Sequence, residues 1–115
     1  MIYLACPYTH DNPAVALKRV VLATKVAGIY VARGAHIYSP LTHSHYIHSA
    51  MDPKEQKDAD FWINFNWPFM EACSEMIIIQ TEGWRESKGI RREIEYFKSV
   101  KKPISFFLPE YITHD

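Results

Sequence analysis

The stretch Met76-Ile77-Ile78-Ile79, followed by Ser87-x-Gly89-x-x-x-Glu93, decides the reading of this chain. Four consecutive apolar residues, three of them β-branched, read as a strand buried on both faces, the kind that occupies the middle of a parallel sheet. Thr81 to Glu86 then reads as a loop and Lys88 to Val100 as a helix, so the serine, glycine and glutamate stand where the carboxyl edge of a sheet meets a helix start. Open α/β sheets place their ligands there. Unpaired N–H groups and the helix dipole favour an anion, Ser87 adds a hydroxyl, and Gly89 lets a ligand approach the backbone.

Glu93 is the unusual member of the group. Ile90, Ile94 and Phe97 form one apolar stripe, and Glu93 lies about 60–70° from its centre at 100° per residue, one turn after Gly89. A carboxylate on that border is half out of water, with the space of a missing side chain above it. The competing reading is a surface glutamate on a charged helix, like its neighbours Arg91, Arg92 and Glu95.

Working outward, strands alternate with helices along the whole chain. Met1–Ala5 reads as the first strand, stopped by Pro7. Asn12 caps a helix with Pro13 at its first position, carried to Arg33 and stopped by Gly34. Ala35–Ser39 is the second strand, Glu75–Gln80 the third and Pro103–Leu108 the fourth. This pattern predicts a three-layer α/β domain spanning residues 1–115, with a flavodoxin-like or Rossmann-like, mostly parallel sheet of four or five strands. Pro109–Asp115 reads as a short tail.

Leu41 to Glu71 is the least regular stretch. Asp52-Pro53-Lys54-Glu55 resembles a helix start, with the aspartate as cap. Phe61, Trp62, Phe65, Phe69 and Met70 recur at helical spacing, and Pro68 is expected to break that helix near Asn64 to Trp67. These aromatic residues suit core or subunit packing, and Trp62 among them suits a wall for a planar base. His43, His45 and His48 follow the second strand on what reads as a loop. They can hydrogen-bond a polar ligand, donate a proton, face solvent or, less in keeping with the lack of a nearby acid, share a metal ion.

Composition narrows the classes. Thirteen basic and thirteen acidic residues cancel, which gives no footprint for a nucleic-acid polymer or a membrane surface. No apolar run has the length of a membrane span, and the start Met1-Ile2-Tyr3-Leu4 lacks the features of a signal peptide, so a cytoplasmic location is expected. Cys6 and Cys73 have no metal or redox spacing and read as buried thiols.

Three segments together resemble a known family. Ile2-Tyr3-Leu4-Ala5-Cys6-Pro7-Tyr8, the aromatic helix with Asn66 and Ser74 eight residues apart, and Ser87-x-Gly89-x-x-x-Glu93 resemble the nucleoside 2-deoxyribosyltransferase superfamily, which includes the 2′-deoxynucleoside 5′-phosphate N-hydrolases. The likeness covers the whole chain. Ser39-Pro40-Leu41-Thr42-His43-Ser44-His45 and Gly83-Trp84-Arg85-Glu86-Ser87 resemble a small, functionally obscure branch of it. The resemblance implies cleavage or transfer of the N-glycosidic bond of a nucleoside or nucleotide, without a cofactor or metal. It makes Glu93 the nucleophile, with Asn66 and Tyr8 beside it at the reacting centre. It makes Ser87 and Gly89 the holders of a phosphate or 5′ end, and Pro7, His43, His45 and Trp62 further parts of the substrate site. A homodimer or homotetramer is also implied, consistent with the aromatic surface of Phe61, Trp62, Phe65, Trp67 and Phe69.

The chain departs from that pattern at Asn66 and Ser74, where related enzymes carry aspartates. Asparagine hydrogen-bonds but gives no carboxyl proton. The acid role then falls to Asp58, Asp60, His43 or His45, or else the chain is a non-catalytic nucleotide-binding protein that retains the pocket.

Overall fold

A computed structural model describes residues 1–111, so the part of the expected tail beyond Tyr111 lies outside the described residues. Four strands, β1 (Ile2–Ala5), β2 (Ile37–Tyr38), β3 (Glu75–Ile79) and β4 (Ile104–Phe107), form one sheet in the order β2-β1-β3-β4, and every pairing is parallel. Each strand begins and ends within two residues of its expected limits. Apolar content rather than length sets their places. The isoleucine-rich β3 and the short β1 take the centre, while β2 and β4 form the edges.

The two central strands bury both faces. Leu4, Ile77 and Ile79 point to helix α1 (Pro13–Ala32), where they meet Val20, Ala23 and Val26. Tyr3, Ala5, Met76 and Ile78 point the other way, to helices α4 (Trp67–Ala72) and α5 (Lys88–Ser99), where they meet Met70, Ile90 and Phe97. Helices therefore cover both faces, in three layers. Each fully buried isoleucine or leucine contributes roughly 1.5–3 kcal/mol by leaving water. Cys6 and Cys73 are free and buried, one in each core. Lys102 is not part of a basic patch: its ammonium lies over the Tyr96 ring and donates to the Met70 and Glu71 carbonyls at 3.1 Å each, capping α4.

The stretch between β2 and β3 differs from expectation in two places. The histidines stand on a helix, α2 (Pro40–Ala50), not on a loop. Pro40 ends β2 and at the same time supplies the first helical position, where a missing N–H costs nothing. Conversely, Asp52 starts no helix. It caps an isolated turn, accepting from the Lys54 and Glu55 amides at 3.0 and 2.8 Å, because Lys54 to Lys57 offers no apolar side to bury. The helix begins later as α3 (Ala59–Phe65), with Asp58 as its cap, and Pro68 separates it from α4 at Asn66 as expected.

The chain leaves β1 for α1 on one face and β3 for α5 on the other. The loops after these neighbouring strands diverge and leave a crevice at the carboxyl edge. One side chain ties them together. Arg19 on α1 donates to the Thr9 carbonyl of the first loop at 3.1 Å and to the Glu82 carbonyl of the second at 2.9 Å. Gly83 makes room for that guanidinium: its φ is +89°, and a Cβ there would sit 2.7 Å from Arg19 Nη2. Gly34 has the same backbone sign, φ +87°, but faces open space. Replacing Gly34 by alanine should therefore cost only the left-handed strain, about 1–2 kcal/mol. Gly83→Ala should cost more, because Arg19 must also give way, and the difference should appear as a lower urea midpoint at unchanged slope.

Candidate functional site

The crevice is a cavity of about 860 Å³ above the carboxyl ends of β1 and β3. Two tyrosines that do not themselves line it position two of its side chains. Tyr3 on β1 pairs in register with Tyr38 on β2, so both point to the same face of the sheet, with ring centroids 6.0 Å apart. Each hydroxyl holds one polar side chain of the cavity. Tyr3 donates to Oε2 of Glu93, and Tyr38 donates to Oδ1 of Asn66 at 3.4 Å.

Glu93 reaches this position because it borders the apolar stripe of α5. Ile90 and Phe97 anchor the helix against the sheet, and the glutamate side chain between them extends inward rather than to solvent. Burial disfavours its charge and lifts its pKa from 4.5 to about 7, while the hydrogen bond from Tyr3 pulls the other way. The phenol in turn is pushed well above its ordinary value by its own burial and by the carboxylate beside it. Tyr3 thus stays protonated and serves as a fixed donor.

Asn66 joins α3 to α4, is buried, and lines the cavity. Its carbonyl is occupied by Tyr38, so its amide NH₂ remains for the cavity side. The Tyr38 hydroxyl also meets Nδ1 of His43 at 3.2 Å. If the phenol proton goes to Asn66, that imidazole nitrogen must be the donor. The chain His43, Tyr38, Asn66 then fixes which way the amide faces.

The start of α5 forms one rim. The Ser87 hydroxyl accepts from the Ile90 amide at 3.2 Å as a helix cap, which leaves its own hydrogen free to donate. The amides of Lys88 and Gly89 precede the first bond of the helix, Arg91 N to Ser87 O, and have no backbone partner. A Cβ at Gly89 would meet only Ser87 Oγ, at 3.9 Å, so the glycine opens the space above Glu93. On the opposite side Tyr8 and Pro7 follow β1, and the Tyr8 hydroxyl lies 3.0 Å from Nδ1 of His45. Farther along that wall Trp62 donates its indole N–H to Nδ1 of His48 at 3.4 Å.

Of the residues expected at the site, Glu93, Asn66 and Tyr8 all line the cavity, as do Ser87, Gly89, Pro7, His45 and Trp62. His43 does not. It lies behind Tyr38 with its ring stacked 5.9 Å from that of Phe65. The reason is helical geometry: residues two apart on α2 point about 200° apart, so His43 and His45 diverge instead of converging as they would on an extended segment. Among the described residues no three His, Cys, Asp or Glu side chains are grouped to hold a metal ion. Ser74 is at the far end of the sheet, where its hydroxyl meets the Met1 backbone carbonyl at 3.4 Å. Sequence reading missed Tyr3, Tyr38 and Arg19 as parts of the site. The signal for the tyrosines was available, since each is the only polar-tipped residue in a strand core, but their pairing depends on a register that one sequence does not give.

Comparison with known families places these residues in a wider group. The profile described as Domain of unknown function (DUF1937) matches residues 1–108, nearly the entire chain. The chain belongs to that family. None of the curated proteins compared with it matches. In this member of the DUF1937 family, no helix among the described residues is long and apolar enough to cross a membrane.

The raised pKa of Glu93 makes the site costly to the fold, with a definite sign. The folded state holds the Glu93 proton more tightly than the unfolded chain does, so this residue lowers stability as pH rises from about 4.5 to about 7, and by a constant amount above that. Glu93→Gln keeps an acceptor for Tyr3 and removes the charge. It should raise stability at pH 8 by on the order of 2–3 kcal/mol, with the gain vanishing near pH 4, as measured by urea unfolding across that range.

Proposed function

We propose that this protein cleaves or transfers the N-glycosidic bond of a nucleoside or nucleotide, with Glu93 as the nucleophile. The observation that carries the reading is the Glu93 carboxylate on the floor of a cavity large enough for a nucleotide, fixed from below by a buried phenol. A carboxylate so held attacks the anomeric carbon as the base departs and forms a glycosyl ester. Water or a second acceptor then resolves the ester, splitting one hard step into two. The Asn66 amide donates to the departing base, Trp62 walls it, and Tyr8 with His45 borders the sugar. The free amides of Lys88 and Gly89 and the Ser87 hydroxyl suit a 5′-phosphate.

A nucleophile must be ionised, so kcat/KM should climb about tenfold per pH unit below about 7 and level off above it. Glu93→Gln should bind ligand nearly as well while losing at least about 10³-fold in rate, equivalent to roughly 4 kcal/mol of barrier. Mass spectrometry with a slow substrate should find a sugar adduct on the Glu93 peptide. Full activity in the glutamine variant would end this reading.

One observation favours a second reading. Asn66 supplies no carboxyl proton beside Glu93, which suits a protein that binds a nucleotide without converting it. Tight binding of nucleosides, nucleotides or dinucleotides with no free base and no adduct on Glu93 would select it.

We also propose that two copies associate through α3 and α4. Trp62, Phe65 and Phe69 are partly buried within one copy, whereas Phe61 and Trp67 stay 41% and 44% exposed, which is a large apolar area to leave in water. Light scattering at micromolar concentration should give the mass of a dimer or a higher even-numbered assembly, and a monomer would refute the association.

A further inference from the structure

N-glycosides fall into two classes by the charge of the base. A neutral base leaves as an anion unless an acid protonates it during departure, a contribution typically worth about 10²–10⁴ in rate. A base that is already a cation in the substrate, such as a pyridinium or an N7-alkylated purine, leaves as a neutral molecule. The two classes demand different groups beside the nucleophile.

The group beside Glu93 is an amide. Tyr3 and Tyr38, paired across β1 and β2 with ring centroids 6.0 Å apart, hold Glu93 and Asn66, both of which line the cavity, and the hydrogen bond from Tyr38 takes the Asn66 carbonyl and leaves its NH₂ available. That amide hydrogen-bonds a ring nitrogen or a carboxamide oxygen but transfers no proton. Several other titratable side chains of the cavity hold partners of their own. Tyr8 is paired with His45, and burial raises its pKa, which makes it a weaker acid. His48 accepts the Trp62 indole N–H at Nδ1, which leaves its N–H on Nε2. Asp58 caps α3 by accepting from the Phe61 amide at 2.9 Å, and Asp60 lies 3.4 Å from Arg92.

The same wall suits a positive ring. Asp58, Asp60 and Trp62 line the cavity from α3, placing carboxylates and an indole on the side where Asn66 stands. Cations are attracted to aromatic faces, most of all to indole. Lys57 also lines this end, but its ammonium lies 5.7 Å from the Phe61 ring centroid.

We propose that the site takes nucleosides or nucleotides whose base is a cation in the substrate, and releases a neutral base without a proton from the protein. The inference rests on the N-glycosidic reading of Glu93. In the step, a Glu93 carboxylate oxygen bonds to the anomeric carbon while the carbon–nitrogen bond breaks. Both electrons of that bond go to the ring nitrogen and cancel its charge. Water then adds to the anomeric carbon, frees the carboxylate and gives up one proton to solvent.

The experiment compares 7-methylguanosine with guanosine, each free and as the 5′-monophosphate, together with nicotinamide riboside and its 5′-monophosphate. Base release is followed chromatographically, and the Glu93→Gln protein gives the background. Wild-type protein should release base from the cationic compounds with kcat/KM at least about 10³-fold above guanosine, the order of the missing acid contribution. Asn66→Asp should narrow that ratio by about 10²-fold or more, chiefly by raising turnover of guanosine. Guanosine cleaved within tenfold of 7-methylguanosine by wild-type protein would overturn the inference and leave the role of Glu93 standing. Should Asn66→Asp fold but keep the wild-type ratio, the inference falls equally; should it not fold, the wild-type ratio decides alone. No base from any of these compounds, and no sugar adduct on Glu93, would remove the N-glycosidic reading and this inference with it.

Discussion

A phenol buried in the middle of a sheet must find an acceptor, and Tyr3 finds Glu93. The hydroxyl has no water to turn to, and leaving it unpaired would cost roughly 1–3 kcal/mol. Supplying a carboxylate is costly as well, because burial opposes the charge that makes it a good acceptor. The two requirements meet in a carboxyl group whose proton leaves near neutral pH. The helix that carries it must lie at a fixed height over β1, so Ile90 and Phe97 on one side of Glu93 and Gly89 one turn above it are constrained together. The cavity is the space left once those constraints are met.

Sheet order turns that local arrangement into a site. With β1 and β3 adjacent and their following helices on opposite faces, the loops at the carboxyl edge separate, and whatever stands between them is reachable from solvent. Separation also makes the rim loose. Arg19 counters this by bonding to a carbonyl on each loop, which sets the width of the opening from within the helix layer. Gly83 complements that arginine, since a Cβ there would displace the guanidinium from its place.

The fold was legible because its signals are local. The isoleucine run of β3, the Asn12-Pro13 cap of α1 and the break at Pro68 each report the conformation of their own segment, and each segment took that form. What sequence could not report was which residues meet. His43 and His45 looked like partners because a His-x-His spacing converges on a strand, and only the helical state of Pro40–Ala50 separates them. Tyr3 and Tyr38 carried no site signal because the cavity residues they hold, Glu93 and Asn66, are 90 and 28 positions away. Glu93 was legible as a border position on its helix, but whether its carboxyl turned inward or out depended on Tyr3.

The same pairing explains why an amide beside Glu93 has electrostatic consequences. Were Asn66 an aspartate, two carboxylates would stand on neighbouring tyrosines over paired strands, and repulsion would raise the pKa of one of them. Burial, partly offset by the Tyr3 hydrogen bond, already places Glu93 at about 7. If the rise fell on Glu93, its carboxyl would be mostly protonated near neutrality and, on the proposed reading, a weak nucleophile; if it fell on the aspartate, that group would be a proton donor for a neutral base. A neutral Asn66, held with its carbonyl toward Tyr38, keeps that repulsion out of the cavity and presents two N–H donors instead. The residue at position 66 thus decides at once whether a second ionisable group enters the cavity and how readily Glu93 gives up its own proton.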